Sequence, residues 1–233
     1  MGEEGLGLEV VKNVLLLGAT GLVGRELLSL LFDDGDVQRV VVIARRATGA
    51  KHAKLDEHVI DLDAMDAHAN LFEVDQIFCA LGTTIKQAGT KERFRVVDHD
   101  YALTAARLGK AHGATHYLLV SALGANAESH VFYNRVKGEV ERDVIAVGYR
   151  STTIARPSLL LGHRDEYRRG ERIASKLAWL TPSKYKPIYA SDVARALVRL
   201  AKADAPGVNV VESAALRTAG ASPAVAAVSR RHT

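Results

Sequence analysis

Six short runs rich in Val, Ile and Leu recur along the chain, at 13–19 (NVLLLGA), 39–44 (RVVVIA), 57–62 (EHVIDL), 76–81 (QIFCAL), 116–122 (HYLLVSA) and 151–157 (STTIARP). Most show no alternation of apolar and polar positions, as expected of strands covered on both faces. Between them, apolar residues return every three to four positions at about 22–33, 91–112, 131–147 and 191–203, which predicts amphipathic helices. Strands alternating with helices in this way predict an α/β fold, a doubly wound parallel sheet in one domain. The ten residues ATGAKHAKLD between VVIARR and EHVIDL are too few for a crossover helix and predict a loop or a single turn. PIYASDVARALVRLAKA predicts a strand end and then a helix capped by Ser191 or Asp192. The Ala- and Ser-rich stretch 213–233 has no large apolar residue after Leu216 except Val, and predicts a poorly packed or disordered tail. The expected division is an N-terminal extension at 1–11, a domain at 12–212 and the tail.

Composition narrows the picture. A chain of 233 residues, 48% hydrophobic, has interior for one large core and no length for a second substrate domain. The single cysteine, Cys79, excludes an internal disulfide framework and a cysteine zinc site, and reads as a buried small hydrophobe in a reducing compartment. Acidic residues precede the first apolar stretch, the reverse of a secretory signal, and no run reaches 18 apolar residues, so a cytoplasmic protein without a membrane partner is expected. The net charge of +4 is spread along the chain. Its densest basic group, HRDEYRRGER at 163–172, is interleaved with acids and makes a weak phosphate surface, so no nucleic-acid partner is expected. His99, His112 and His116 lack metal-ligand spacing, and no metal is expected.

Candidate chemistry collects at strand ends. GATGLVG follows the first strand and enters a helix. Gly18 permits a tight turn, Gly21 lets backbone N–H groups approach a pyrophosphate, Gly24 allows close helix-strand packing, and Thr20, Leu22 and Val23 line the same turn. At the end of the second strand stand Arg45 and Arg46, with no acid before Asp56. A ribose 2′-phosphate requires that charge, so NADP(H) is preferred over NAD(H). Asp61 and Leu62 end the third strand where a side chain can meet the adenine, and Ala80, Leu81 and Gly82 end the fourth where backbone can lie against the cofactor. The fifth strand ends at Ser121. Twelve residues on, Tyr133 starts a helix with Lys137 one turn later on the same face. Beside a bound nicotinamide, the ammonium would make the phenol more acidic and hold the ribose, the phenol would exchange a proton with a substrate oxygen, and Ser121 would orient that oxygen.

These motifs, with LGTTIKQAG, VDHDY, YNRVKGEVE and ARPSLLLG, resemble the atypical short-chain dehydrogenase/reductase superfamily, specifically its Tat-interacting-protein-type oxidoreductases and their bacterial relatives, over about residues 12–212. The resemblance implies a Rossmann-like fold with NADP(H) bound and maps the family's Ser, Tyr and Lys onto Ser121, Tyr133 and Lys137. It also implies that Pro157, Ser158, Leu159 and Leu160 approach the nicotinamide. Where many short-chain reductases carry a relay asparagine, this chain has Asp98. The resulting expectation is an NADP(H)-dependent oxidoreductase acting on a small carbonyl or alcohol, as a monomer or a homodimer. An NADP(H)-binding redox sensor is the alternative, and a sugar-nucleotide epimerase a third reading weakened by the short C-terminal part. A cap from Gly162 to Leu180 is expected, with Leu177, Trp179 and Leu180 over the nicotinamide and Arg164, Arg168, Arg169 or Arg172 drawing an anionic substrate.

Overall fold

The computed structural model describes residues 11–162 and 185–221. Seven strands form one parallel sheet: β1 (Lys12–Leu17), β2 (Val37–Ala44), β3 (Leu55–Val59), β4 (Gln76–Cys79), β5 (His116–Val120), β6 (Ser151–Arg156) and β9 (Gly207–Glu212). Their spatial order is β3-β2-β1-β4-β5-β6-β9, and the pair β7 (Leu160–Leu161) and β8 (Ile188–Tyr189) forms a separate two-stranded ribbon. The first six strands lie where the apolar runs predict them, and over the five inner ones both faces of the sheet are covered. Along β1, Val14 and Leu16 enter one apolar layer and Leu15 and Leu17 the other; along β2, Val40 and Val42 part from Val41 and Ile43 in the same way.

One layer is closed by α1 (Leu22–Asp33), α6 (Ala190–Ala203) and α7 (Ser213–Gly220), through Leu27, Leu31, Val193, Leu197 and Leu216. A 3₁₀ helix (Leu62–Phe72), α4 (Tyr101–Ala111) and α5 (Phe132–Ala146) close the other, through Met65, Phe72, Ala105, Val140 and Val144. Two short helices, α2 (Ile85–Ala88) and α3 (Lys91–Arg95), follow β4, and a π turn at Val96–Asp100 joins α3 to α4.

Several expectations are corrected. The stretch after 212 does not begin as a loose tail: α7 is a helix, and Leu216 is fully buried against α6 and the sheet. With β9 added on the β6 edge, the packed domain runs to Gly220; residues 222–233 lie outside the described ones. The helix at 190–203 begins after Tyr189 with no side-chain cap, and Asp192 instead pairs with Arg195. Between β2 and β3 there is no helix, as ten residues dictate. The crossover from β3 to β4 carries the 3₁₀ helix, which the periodicity did not predict.

Candidate active site

Strand order reverses between β1 and β4, and the loops leaving the carboxyl ends of these strands diverge to opposite faces. A crevice opens there, the usual ligand position in open α/β sheets. Gly18 sits at φ +83°, in the left-handed region, and a Cβ on it would stand 2.4 Å from the Ala80 carbonyl oxygen. A Cβ on Gly24 would stand 2.0 Å from the Gly18 carbonyl oxygen. The turn therefore closes on β4 with bare backbone only. Gly21 N–H donates to Gly18 O at 2.9 Å, and Gly21 precedes α1 without a side-chain cap, so the helix N-terminus faces the crevice through its backbone. A pyrophosphate fits such a cradle in charge and in shape.

The residues expected around this groove divide. Thr20 is half-buried and Gly21 and Leu22 are exposed, whereas Val23 is buried in the layer beneath α1. Its side chain does not line the turn, because the second residue of α1 points inward. Leu62 is likewise corrected: β3 ends at Val59, and the leucine is 3% exposed, packed with Met65 and Phe72 as the first residue of the 3₁₀ helix. Asp61 is exposed and accepts the Asp63 N–H at 3.1 Å, capping that helix. Arg45 and Arg46 are both exposed, just beyond the end of β2. Their loop is tied to β3 by Thr48, whose N–H and hydroxyl donate to Glu57 at 2.8 and 2.6 Å. Ala80 and Leu81 are half-buried and Gly82 is exposed. Pro157 is buried and Leu159 largely exposed. Ser158 donates to the Lys186 carbonyl at 2.5 Å, and Leu160 pairs with Ile188 in the ribbon. The expected cap lies outside the described residues, apart from Gly162.

On α5, Tyr133, Lys137 and Glu141 stand at four-residue intervals and share a face. Tyr133 packs its ring against buried Phe94, with centroids 5.6 Å apart. Lys137 is buried, and its Nζ lies 2.7 Å from Asp98 Oδ1. Asp98 Oδ2 accepts the Thr83 N–H at 2.9 Å. Burial by itself acts to lower the lysine's pKa; the Asp98 charge and, after it, nearby Tyr133 outweigh this and raise it above its ordinary value. The π turn delivers Asp98. It widens the helix there so that consecutive residues both reach α5: Asp98 meets Lys137, and His99 bridges Asp100 and Asp143 at 2.7 and 2.9 Å. The Asp98–Lys137 pair lies directly beneath the strand-end backbone, since a Cβ on Gly82 would stand 3.6 Å from Asp98 Oδ1 and 4.0 Å from Lys137 Nζ.

Glu141 and Arg156 are the residues that motif reasoning did not single out. The buried Ser121 hydroxyl donates to Glu141 Oε1. Arg156 grips the same carboxylate, with Nε 3.1 and 3.2 Å from its two oxygens and Nη2 2.6 Å from Oε2, and reaches Glu212 at 3.1 Å through Nη1. A carboxylate only accepts, so the one hydroxyl proton of Ser121 is committed to Glu141 and its lone pairs remain for a ligand. The available signal was the extension of the Tyr133–Lys137 face by one more turn to Glu141. Among the described residues, no three His, Cys, Asp or Glu side chains gather to hold a metal ion.

Comparison with known proteins agrees with this geometry. The family model described as NAD(P)H-binding matches residues 18–204. Protein HTATIP2 of Rattus norvegicus is 36% identical over 186 residues, 78% of this chain and 76% of the relative. Protein FMP52, mitochondrial, of Eremothecium gossypii is 32% identical over 211 residues, 87% of this chain and 94% of the relative. Among solved structures, the Bordetella bronchiseptica enzyme WbmH in complex with NAD+ superposes with a TM-score of 0.69 at 16% identity, covering 87% of this chain and 76% of that one. The UDP-N-acetylglucosamine 4-epimerase from Methanobrevibacter ruminantium in complex with UDP-N-acetylmuramic acid gives 0.66 at 20% identity, covering 87% and 76%. At such identities these two structures speak for the fold. The family match over most of the chain, and relatives above 30% identity along most of their length, identify the chain as an NAD(P)H-binding member of the atypical short-chain dehydrogenase/reductase superfamily, of the Tat-interacting-protein type.

Proposed function

We propose that the protein is an NADP(H)-dependent oxidoreductase that acts on a small carbonyl or alcohol. The observation that carries the reading is the buried Lys137 ammonium one helical turn from Tyr133, beneath the carboxyl edge of the sheet to which Ser121 also belongs. When bound, the nicotinamide supplies two-electron hydride exchange. The glycine turn and the N-terminus of α1 would hold its pyrophosphate. Arg45 and Arg46 would hold the 2′-phosphate, since both are exposed where a ribose would end. Tyr133 would carry the proton to or from the substrate oxygen, and Ser121 would accept a hydrogen bond from a hydroxyl on that oxygen.

A second reading, an NADP(H)-binding redox sensor without efficient turnover, has one observation behind it: the Ser121 proton is given to Glu141 rather than to a substrate carbonyl. Both readings include a reducing compartment, consistent with the buried thiol of Cys79, and the cytoplasm is the proposed one. The test is a fluorescence titration with NADPH and NADH for the wild type and Arg45→Ala/Arg46→Ala, together with a carbonyl panel for the wild type and Tyr133→Phe. We expect NADPH to bind more tightly, the double variant to lose on the order of ten-fold or more of that preference, and turnover to vanish with Tyr133→Phe. Tight NADPH binding without turnover across the panel favours the sensor, and binding of neither nucleotide refutes both readings.

A further inference from the structure

The usual logic of a Tyr-Lys pair is that an uncompensated ammonium favours the phenolate and so makes the tyrosine a base. Here the ammonium is not uncompensated. Lys137 is buried, and the Asp98 carboxylate lies 2.7 Å from its nitrogen, held in place by the Thr83 N–H on the other oxygen. Among the described residues, the ionisable groups facing this lysine are Asp98 from the π turn, Tyr133 on its own helix and Cys79 from β4. The Cys79 thiol is buried beside Tyr117, and burial pushes its pKa up, so it adds no charge at neutral pH. Seen from Tyr133, a +1 and a −1 charge at contact distance form a short dipole, whose field falls off faster than that of a lone ammonium.

We infer that Asp98 is a positioning residue that cancels the charge by which Lys137 would act on Tyr133, and thereby keeps the tyrosine a proton donor, poised for carbonyl reduction rather than alcohol oxidation. The inference rests on the oxidoreductase reading for its direction of reaction; the charge relation itself does not. In the reducing direction a bound reduced nicotinamide would supply the hydride that the carbonyl carbon takes up, becoming oxidised in exchange. The carbonyl π bond is broken, and its oxygen forms an O–H bond with the proton of Tyr133. The phenolate left behind is reprotonated from water. The second polar group is arranged consistently: the Ser121 hydroxyl donates to Glu141, so it accepts from the new alcohol O–H and does not compete to give the first proton.

The test needs no substrate. The tyrosinate absorbance of the full chain is titrated with pH for the wild type and Asp98→Asn, each with the matching Tyr133→Phe protein subtracted so that Tyr133 alone is read. Asp98→Asn is expected to shift the Tyr133 midpoint to lower pH. Asp98→Glu is expected to return it toward the wild type. The neutral double variant Asp98→Asn/Lys137→Met should leave it near the wild-type value, because both halves of the dipole are gone. Melting curves establish which variants fold, and the double variant keeps the idea testable if Asp98→Asn does not. An unchanged or raised midpoint in Asp98→Asn, or a large shift in the double variant, overturns the inference. Failure of the oxidoreductase reading is separate: it appears as absent nucleotide binding or absent turnover in the wild type, whatever Tyr133 titrates like. Where turnover is found, the alkaline limb of the reduction pH profile should move to lower pH in Asp98→Asn, and an unchanged profile counts against the role.

Discussion

Glu141 is a buried ion tolerated only through its partners. Its carboxylate accepts the Ser121 hydroxyl and a two-nitrogen grip from Arg156, so its oxygens are occupied away from water. Replacing Arg156 with Met strands this carboxylate, and we expect a loss of about 3 kcal/mol in urea unfolding. Removing both charges in Arg156→Met/Glu141→Met should recover much of that loss, since a well-packed apolar pair carries no desolvation penalty; a double variant less stable than the single one would show that the pair is net stabilising. The same residues mark how far the site was legible. Tyr133 and Lys137 are visible because their relation is local, four positions on one helix. Arg156 meets Glu141 only because β6 lies beside β5, and nothing in the order of residues states that α5 crosses at that height. Asp98 stood out by its place within VDHDY, but its direct contact with Lys137 depends on the π turn, which widens the helix by one residue and has no motif of its own.

At the scale of elements, the runs of Val, Ile and Leu locate the five inner strands because the sheet is covered on both faces there, while the half-buried edge strand β3 shows only through the short run that overlaps it. The seventh escaped for the opposite reason: β9 is an edge strand whose residues are exposed or half-buried, so its apolar signal is weak even in GVNVVE. The helix after it escaped because SAALRTAG is small and polar apart from Leu216, yet alanine is the best intrinsic helix former and one leucine suffices to anchor two turns. That leucine has no exposed surface and packs in the layer with α1 and α6. Leu216→Ala is expected to cost about 2–4 kcal/mol, read as a lower urea midpoint at unchanged slope. A loss below about 0.5 kcal/mol, the usual range for surface positions, would mean that α7 is an appendage and the tail expectation was sound. In the buried layer the leucine side chains decide the outcome; in the glycine turn the absence of side chains does, and both kinds of information are written one residue at a time.

The whole molecule separates its chemistry from a second charged cluster at the opposite pole of the sheet. There, Asp204, which closes α6 at φ 44°, gathers Lys12 from β1, Arg150 just before β6 and His116 at the start of β5. His116 is fully buried, with Nδ1 2.9 Å from Asp204 Oδ1 in a contact without hydrogen-bond alignment, and Nε2 2.9 Å from the Thr153 hydroxyl. Burial pushes its pKa down to about 4; Asp204 works against this, and Lys12 and Arg150 add to it. The unfolded chain protonates the same ring near 6.5. Above that pH neither state binds the proton and stability is unaffected. As the pH falls from about 6.5 to about 4, only the unfolded state binds it, so stability is lost progressively, and below about 4 the loss is complete at roughly 3 kcal/mol. Urea midpoints between pH 8 and pH 4 should therefore fall more steeply for the wild type than for His116→Gln, which has no proton to gain. Equal slopes would mean that the imidazole is not held neutral. This cluster sits at the amino-terminal end of the strands and Tyr133 at the carboxyl end, and the two effects are read on different observables. The stability loss on acidification should thus persist in Asp98→Asn and Tyr133→Phe, and a variant that abolished both effects would show the sheet transmitting charge between its two ends.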